Sequence, residues 1–141
     1  MKTRILLTAV SAVALAFSAM AAEDKDETPL SKDMTGINKS LRVVKRQLAD
    51  ASKKDDNLAL IAKVKEDLAK TKDFEPKKTK DQPDKAAYVK KFHEEIDGLT
   101  KTVEELEAAI KADKADDAKA ALKKIYDEKE KGHKDFGVDD D

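Results

Sequence analysis

Few side chains in this sequence are able to bind a metal or a cofactor. After position 21 the chain has one methionine, Met34, and two histidines, His93 and His133. A thioether paired with an imidazole is a ligand set for iron, and an imidazole alone also binds zinc. The chain has no Cys, which excludes thiolate metal sites and thiol catalysis. No acid–base pair, nucleophile triad or Gly-rich phosphate loop appears, so we do not expect an enzyme.

Four amphipathic segments must position these residues. The first is predicted at about 31–50 with Ser31 as its N-cap, and the second at about 56–72. The third contains the apolar positions from Phe92 to Ile110, and the fourth follows an N-cap at Asp113. Apolar residues recur at steps of three and four in each segment, which is typical of a helix with one buried face. The predicted inward positions are Met34, Ile37, Leu41, Val44, Leu48, Leu58, Ile61, Val64, Leu68, Phe92, Ile96, Leu99, Val103, Leu106, Ile110, Ala115, Ala118, Leu122 and Ile125.

Four such helices with mostly short links favour an all-α, antiparallel up-down-up-down four-helix bundle. The longest link, about 71–84, is polar and carries two prolines. A long two-helix hairpin or an exposed coiled coil stays open as an alternative, because the apolar face of the second segment is short.

The up-down topology brings Met34 and His133 to the same end of the bundle. Met34 lies in the first turn of helix one, and His133 lies near the end of helix four. His133 follows the core position Leu122 by eleven residues, which is three turns and about 20° at 3.6 residues per turn. Its side chain therefore points inward if the helix continues that far. Most aromatic residues fall at this end as well: Phe74, Tyr88, Phe92 and Phe136.

A flat aromatic cofactor ligated by Met34 and His133 needs this asymmetric arrangement. Simpler interpretations exist for both residues. A single Met at a core position usually fills a gap, and a His at a helix C-terminus is usually a surface cation stabilised by the helix dipole. The other histidine, His93, lies four residues before Asp97, a spacing able to chelate zinc. Two ligands make a weak site, so a histidine at the pocket rim or on the surface is favoured for His93.

The N-terminal residues 1–21 are predicted to be a cleaved signal peptide. Lys2 and Arg4 precede an apolar run at 5–17, and the small-x-small sequence 19–21 follows it. The mature domain is then 22–141. No second apolar stretch follows, so we expect no membrane association. Charged residues make up 42% of the chain with a net charge of -1, and their interspersed signs argue against nucleic-acid binding.

The chain resembles the cytochrome b562 family of soluble b-type cytochromes. Segments 34–43, 92–99 and 114–122 look like the starts of that family's first, third and fourth helices, and the resemblance has no gap from Phe92 to His133. It implies a non-covalently bound haem b whose iron is ligated by Met34 and His133, with Phe92 and Ile96 against the haem. It also implies one-electron transfer in the periplasm. Covalent haem attachment is excluded, because C-x-x-C-H is absent.

Two positions depart from the family pattern. Ile96 stands where the family has Phe, and Gly132 stands where it has a larger residue. A glycine at 132 is able to end the helix and turn His133 outward. We expect a monomer that meets other redox proteins of unknown identity. The alternative function is a haem-free periplasmic helical bundle that binds proteins or acts under stress.

Overall fold

Residues 28–138 are described by a computed structural model, and within this range the chain forms four α-helices. Each helix packs on the next along the chain, and α1 also borders α4. The predicted all-α, antiparallel four-helix bundle is confirmed. The predicted signal peptide, 1–21, lies outside the described residues. The helices are α1 Pro29–Gln47, α2 Lys54–Thr71, α3 Lys85–Lys111 and α4 Ala115–Phe136, with 3₁₀ turns at Ala51–Lys53 and Lys77–Asp81.

The first helix begins earlier than the sequence pattern predicts. Thr28 is its N-cap, and the Thr28 Oγ1 accepts a hydrogen bond of 3.2 Å from the backbone N–H of Ser31. Pro29 is the first helical residue, a position that suits proline because its missing N–H would have no partner there. The prediction of Ser31 as the N-cap was therefore wrong.

The turn between α3 and α4 also differs from the prediction. Asp113 does not cap α4; it has a φ of 57° and ends α3. The backbone N–H of Asp113 donates to the Ile110 carbonyl at 3.1 Å, and that of Lys114 donates to the Ala109 carbonyl at 2.9 Å. These two bonds form a Schellman motif, with Asp113 in the left-handed position usually held by glycine. The N-cap of α4 is Lys114, whose side chain makes no capping bond.

The core lies between the four helices and follows the predicted inward faces closely. All six predicted positions of α3 are buried, at 7% exposure or less. Ala115 was predicted inward but is exposed, because it is the first residue of α4 at the edge of the bundle. Leu48 and Leu58 are half-buried and pack against the core from outside. Leu48 lies just beyond the end of α1.

Ion pairs between helices add to the apolar packing. Glu107 of α3 accepts a hydrogen bond of 2.7 Å from Lys111 on the same helix and another from Lys65 of α2. These bonds, the one from Lys111 first, hold the pKa of Glu107 below its usual value. The Glu107 side chain is 17% exposed, so its ion pairs with Lys65 and Lys111 are more shielded from solvent than most of the surface ion pairs. None of the described helices is long and apolar enough to cross a membrane.

Candidate functional site

Met34 and His133 line one cavity at the end of the bundle where α1 starts and α4 ends. The cavity has a volume of about 30 Å³, close to the space that one water molecule occupies. Met34 is 5% exposed and His133 is half-buried. The other lining residues come from α3, α4 and the segment after α4: Phe92, Glu95, Ile96, Leu99, Glu128, Lys129, Gly132, Phe136 and Val138.

The last turns of α4 decide where His133 points. The helix continues through Gly132 and ends at Phe136, and Gly137 follows with a φ of 62°. The N–H of Gly137 donates to the His133 carbonyl at 2.8 Å. The glycine that ends the helix is therefore Gly137, and the alternative that Gly132 turns His133 outward is wrong. The Nε2 atom of His133 is closed off from solvent.

Aromatic packing forms one wall of the cavity. The ring of Phe136, 1% exposed, lies 5.2 Å from the ring of Phe92 in an edge-to-face arrangement. It lies at the same distance from the ring of Tyr88. The Tyr88 hydroxyl donates a hydrogen bond of 3.1 Å to the Asp135 carbonyl. Burial, with a contribution from the negative charge of Asp135, raises the pKa of Tyr88. Phe92 and Ile96, the two predicted wall residues, both line the cavity.

The opposite wall is polar, and the sequence reasoning missed it. Glu128 lines the cavity, and its Oε1 atom accepts a hydrogen bond of 3.1 Å from the Thr102 hydroxyl. Its Oε2 atom is closed off from solvent and has no hydrogen-bond partner among residues 28–138. Glu95 also lines the cavity, but its carboxylate is paired with Lys131. Glu128 comes three residues after the core residue Ile125, a spacing that is compatible with the inner face of α4 but does not by itself place the side chain at the cavity.

His93 does not line the cavity and instead contacts the end of α2. Its Nε2 atom is 3.0 Å from the backbone carbonyl of Lys72, so the imidazole must donate there. The ammonium group of Lys72 is in turn paired with Asp97. Lys72 is the C-cap of α2, so His93 and Asp97 together fasten the end of α2 to α3. This arrangement accounts for the His93–Asp97 spacing without a metal. His93 is half-buried against the end of α2 and away from the cavity, whereas the sequence favoured a histidine at the pocket rim or on the surface.

The donors at the cavity are suited to a haem iron. A thioether and an imidazole line the same cavity as the apolar side chains of Phe92 and Ile96, and this pair of donors is a ligand set for iron rather than for a hard, oxygen-seeking cation. A haem is far larger than the cavity, so its binding here would require the walls to move apart. Met34 belongs to α1 and His133 to α4, and these two helices pack less closely than the other three neighbouring pairs. Widening is therefore easiest between the helices that carry the two donors.

Comparison with known proteins gives one finding at the level of the family. The sequence model of a family described as cytochrome b562 matches residues 29–136. This match spans all four helices and includes both Met34 and His133. No curated protein and no solved structure matches the chain.

Proposed function

Because the chain belongs to the cytochrome b562 family, we propose that it carries single electrons in the periplasm and that Met34 and His133 ligate its haem iron. The family binds haem b without a covalent link, and its members are cytochromes of the electron-transfer type. The observation that supports the two ligands is their shared cavity: the Met34 thioether and the His133 imidazole both line it, whereas His93 does not.

Each residue has a distinct part in this proposal. The haem supplies an iron that takes up and releases one electron. The Met34 thioether stabilises the reduced iron and so raises the reduction potential relative to harder ligands. The His133 imidazole provides the stronger bond. Phe92 and Ile96 line the cavity and would keep water from the iron, and ligation by Met34 and His133 would leave it no open position for oxygen chemistry. We therefore propose a carrier rather than an enzyme.

Ligation also joins parts of the bundle that packing joins weakly. Met34 and His133 reach the cavity from α1 and α4, the least closely packed neighbouring helices. An iron bound by both side chains is a cross-link between these helices. Haem binding is then expected to stabilise the fold through mass action, because the unfolded chain lacks the assembled site.

The test is to add haem to the haem-free protein and to variants at each donor. We expect a strong low-spin Soret spectrum for the unchanged protein. Met34→Ala should keep much of its haem, because a thioether is a weak donor to ferric iron, but it should become five-coordinate. His133→Ala should lose more of the haem. Each substitution should lower the melting temperature more with haem than without it.

The control is the second histidine, His93, whose replacement by alanine should leave haem binding intact. A different pattern would overturn the proposal. If Met34→Ala lowers stability equally with and without haem, and His133→Ala lowers it in neither condition, the cavity is only part of a packed core. A protein that stays colourless with excess haem would favour the haem-free bundle.

We further propose that residues 1–21 direct export and are removed, so that the mature chain starts at Ala22. The charged start, the apolar run and the small residues at 19–21 support this cleavage position. Mass spectrometry of the protein from a cell envelope extract should give the mass of residues 22–141. Recovery of the intact chain starting at Met1 would contradict both the cleavage and the periplasmic location.

A further inference from the structure

Glu128 places a carboxylate at the cavity that nearby charges only partly balance. Its Oε1 atom is bonded to the Thr102 hydroxyl at 3.1 Å, and the ammonium group of Lys124 is 3.9 Å from the same oxygen. The Lys124 side chain is 52% exposed, so water screens its charge. The Oε2 atom is closed off from solvent and finds no hydrogen-bond partner in the described part of the chain.

The other charged residues of the cavity wall are compensated more directly. The Glu95 carboxylate is paired with the ammonium group of Lys131, and the Lys129 ammonium group is bonded to the Asn38 side chain. A buried carboxylate oxygen without a donor loses its hydration and gains nothing in return. Glu128 therefore places an incompletely compensated carboxylate on the wall that also holds His133.

We infer that Glu128 lowers the reduction potential of the haem by stabilising the oxidised iron. This inference rests on the proposed function, since it needs a haem between Met34 and His133. Oxidised haem carries one more positive charge than reduced haem. A fixed negative charge at the cavity wall therefore favours the oxidised state, and its field is less screened there than in water. Glu128 opposes the effect of the Met34 thioether, which favours the reduced state.

Removing the charge should shift the redox equilibrium by a measurable factor. A unit charge about 10 Å from another, at an effective dielectric constant of about 20, changes an equilibrium roughly tenfold or somewhat more. The Glu128 side chain is 30% exposed, so screening reduces this effect to about three- to tenfold. At a fixed applied potential, Glu128→Gln should raise the ratio of reduced to oxidised protein by that factor. A tenfold change corresponds to about 59 mV for one electron.

The experiment is a spectroelectrochemical titration of the haem-loaded protein and three variants at neutral pH. Glu128→Gln keeps the hydrogen bond with Thr102 and removes the charge, whereas Glu128→Asp keeps the charge. The matched control is Glu130→Gln, which removes a carboxylate from the same helix. Glu130 is 68% exposed, pairs with Lys134 at 2.7 Å, and does not line the cavity. We expect a higher potential for Glu128→Gln alone.

Each outcome distinguishes this inference from the proposed function. If all variants show the same low-spin spectrum and Glu128→Gln has the potential of Glu130→Gln, the inference is wrong while the haem site stands. If Glu128→Asp raises the potential as much as Glu128→Gln, the side chain acts through packing rather than charge, and the inference is again wrong. If the unchanged protein takes up no haem, the proposed function fails and this inference fails with it.

Discussion

Replacing Phe136 by alanine tests whether the end of α4 belongs to the cooperative core. Phe136 is the last residue of α4 and is 1% exposed. Its ring contacts those of Phe92 and Tyr88, each at 5.2 Å between centroids. Both partners belong to α3, so this single side chain fastens the last turn of α4 to its neighbour. That turn also carries His133.

The expected loss follows from the size and burial of the ring. Phe→Ala in a core costs about 3–5 kcal/mol, a value that includes the lost contacts and the cavity left behind. Two aromatic pairs contribute about 0.5–1.5 kcal/mol each to such a loss. Phe136 lies at a helix end, where fraying of the last turn limits the damage, so we expect about 3 kcal/mol. For a domain of this size that lowers the melting temperature by roughly 12 °C.

The measurement is urea denaturation and thermal melting of the haem-free protein, with unfolding detected by circular dichroism. Phe136→Leu is the control, because it fills most of the space without the aromatic contacts, and it should lose less than about 1.5 kcal/mol. A loss below about 1 kcal/mol for Phe136→Ala would mean that the last turn of α4 frays independently of the core. In that case His133 is not held in place before haem binds, and the reasoning about its position is wrong.

Further predictions concern four other residues. Gly137→Ala should lower the free energy of unfolding by about 1–2 kcal/mol because Gly137 has a positive φ. Gly98 is an exposed residue in the middle of α3 with open space around it, so Gly98→Ala should raise the free energy of unfolding by about 0.5–1 kcal/mol. Urea denaturation measures both changes. Because the pKa of Glu107 is lowered in the folded state, its contribution to folding stability is present above its ordinary pKa and is lost as the pH falls through the lowered value. When melting temperatures are measured from pH 6 to 3, about the range that matters, Glu107→Gln should depend less on acid than the unchanged protein. An unchanged dependence on pH would contradict this. His93→Ala should lose about 1 kcal/mol by leaving the Lys72 carbonyl without its donor, yet keep a six-coordinate haem spectrum; loss of the low-spin signature would identify His93 as the ligand.

Periodicity predicted the interior of this bundle well because burial itself repeats with the helical period. Every apolar residue predicted inward in α3 is buried, and so are the central positions of α1, α2 and α4. Helix boundaries were predicted less well, since they depend on backbone geometry that several residues share. Thr28 caps α1 because Pro29 can begin a helix, and Asp113 ends α3 because it adopts a left-handed conformation. The residue types that favour helix caps do not by themselves predict either of these two helix boundaries.

The cavity was predictable in its donors but not in its polar wall. The up-down topology was sufficient to bring Met34 and His133 together, because it fixes which helix ends are neighbours. Glu128 was missed because α4 is rich in charged residues, so one more glutamate is not distinctive, even three positions after a core residue. Its carboxylate accepts a hydrogen bond from Thr102 of the neighbouring helix, a contact that no sequence pattern of α4 alone contains.

The distribution of packing explains why such a small bundle can accept a large cofactor. α1 packs closely on α2, and α3 packs closely on α4, whereas α1 and α4 meet only loosely. Opening the bundle between α1 and α4 therefore breaks fewer favourable contacts than opening it anywhere else. The side chains proposed to bind iron, Met34 and His133, lie on these two helices. Ligation would thus restore cohesion where the protein has least of its own, and at a haem concentration of 100 times Kd the added stability is about 2.7 kcal/mol.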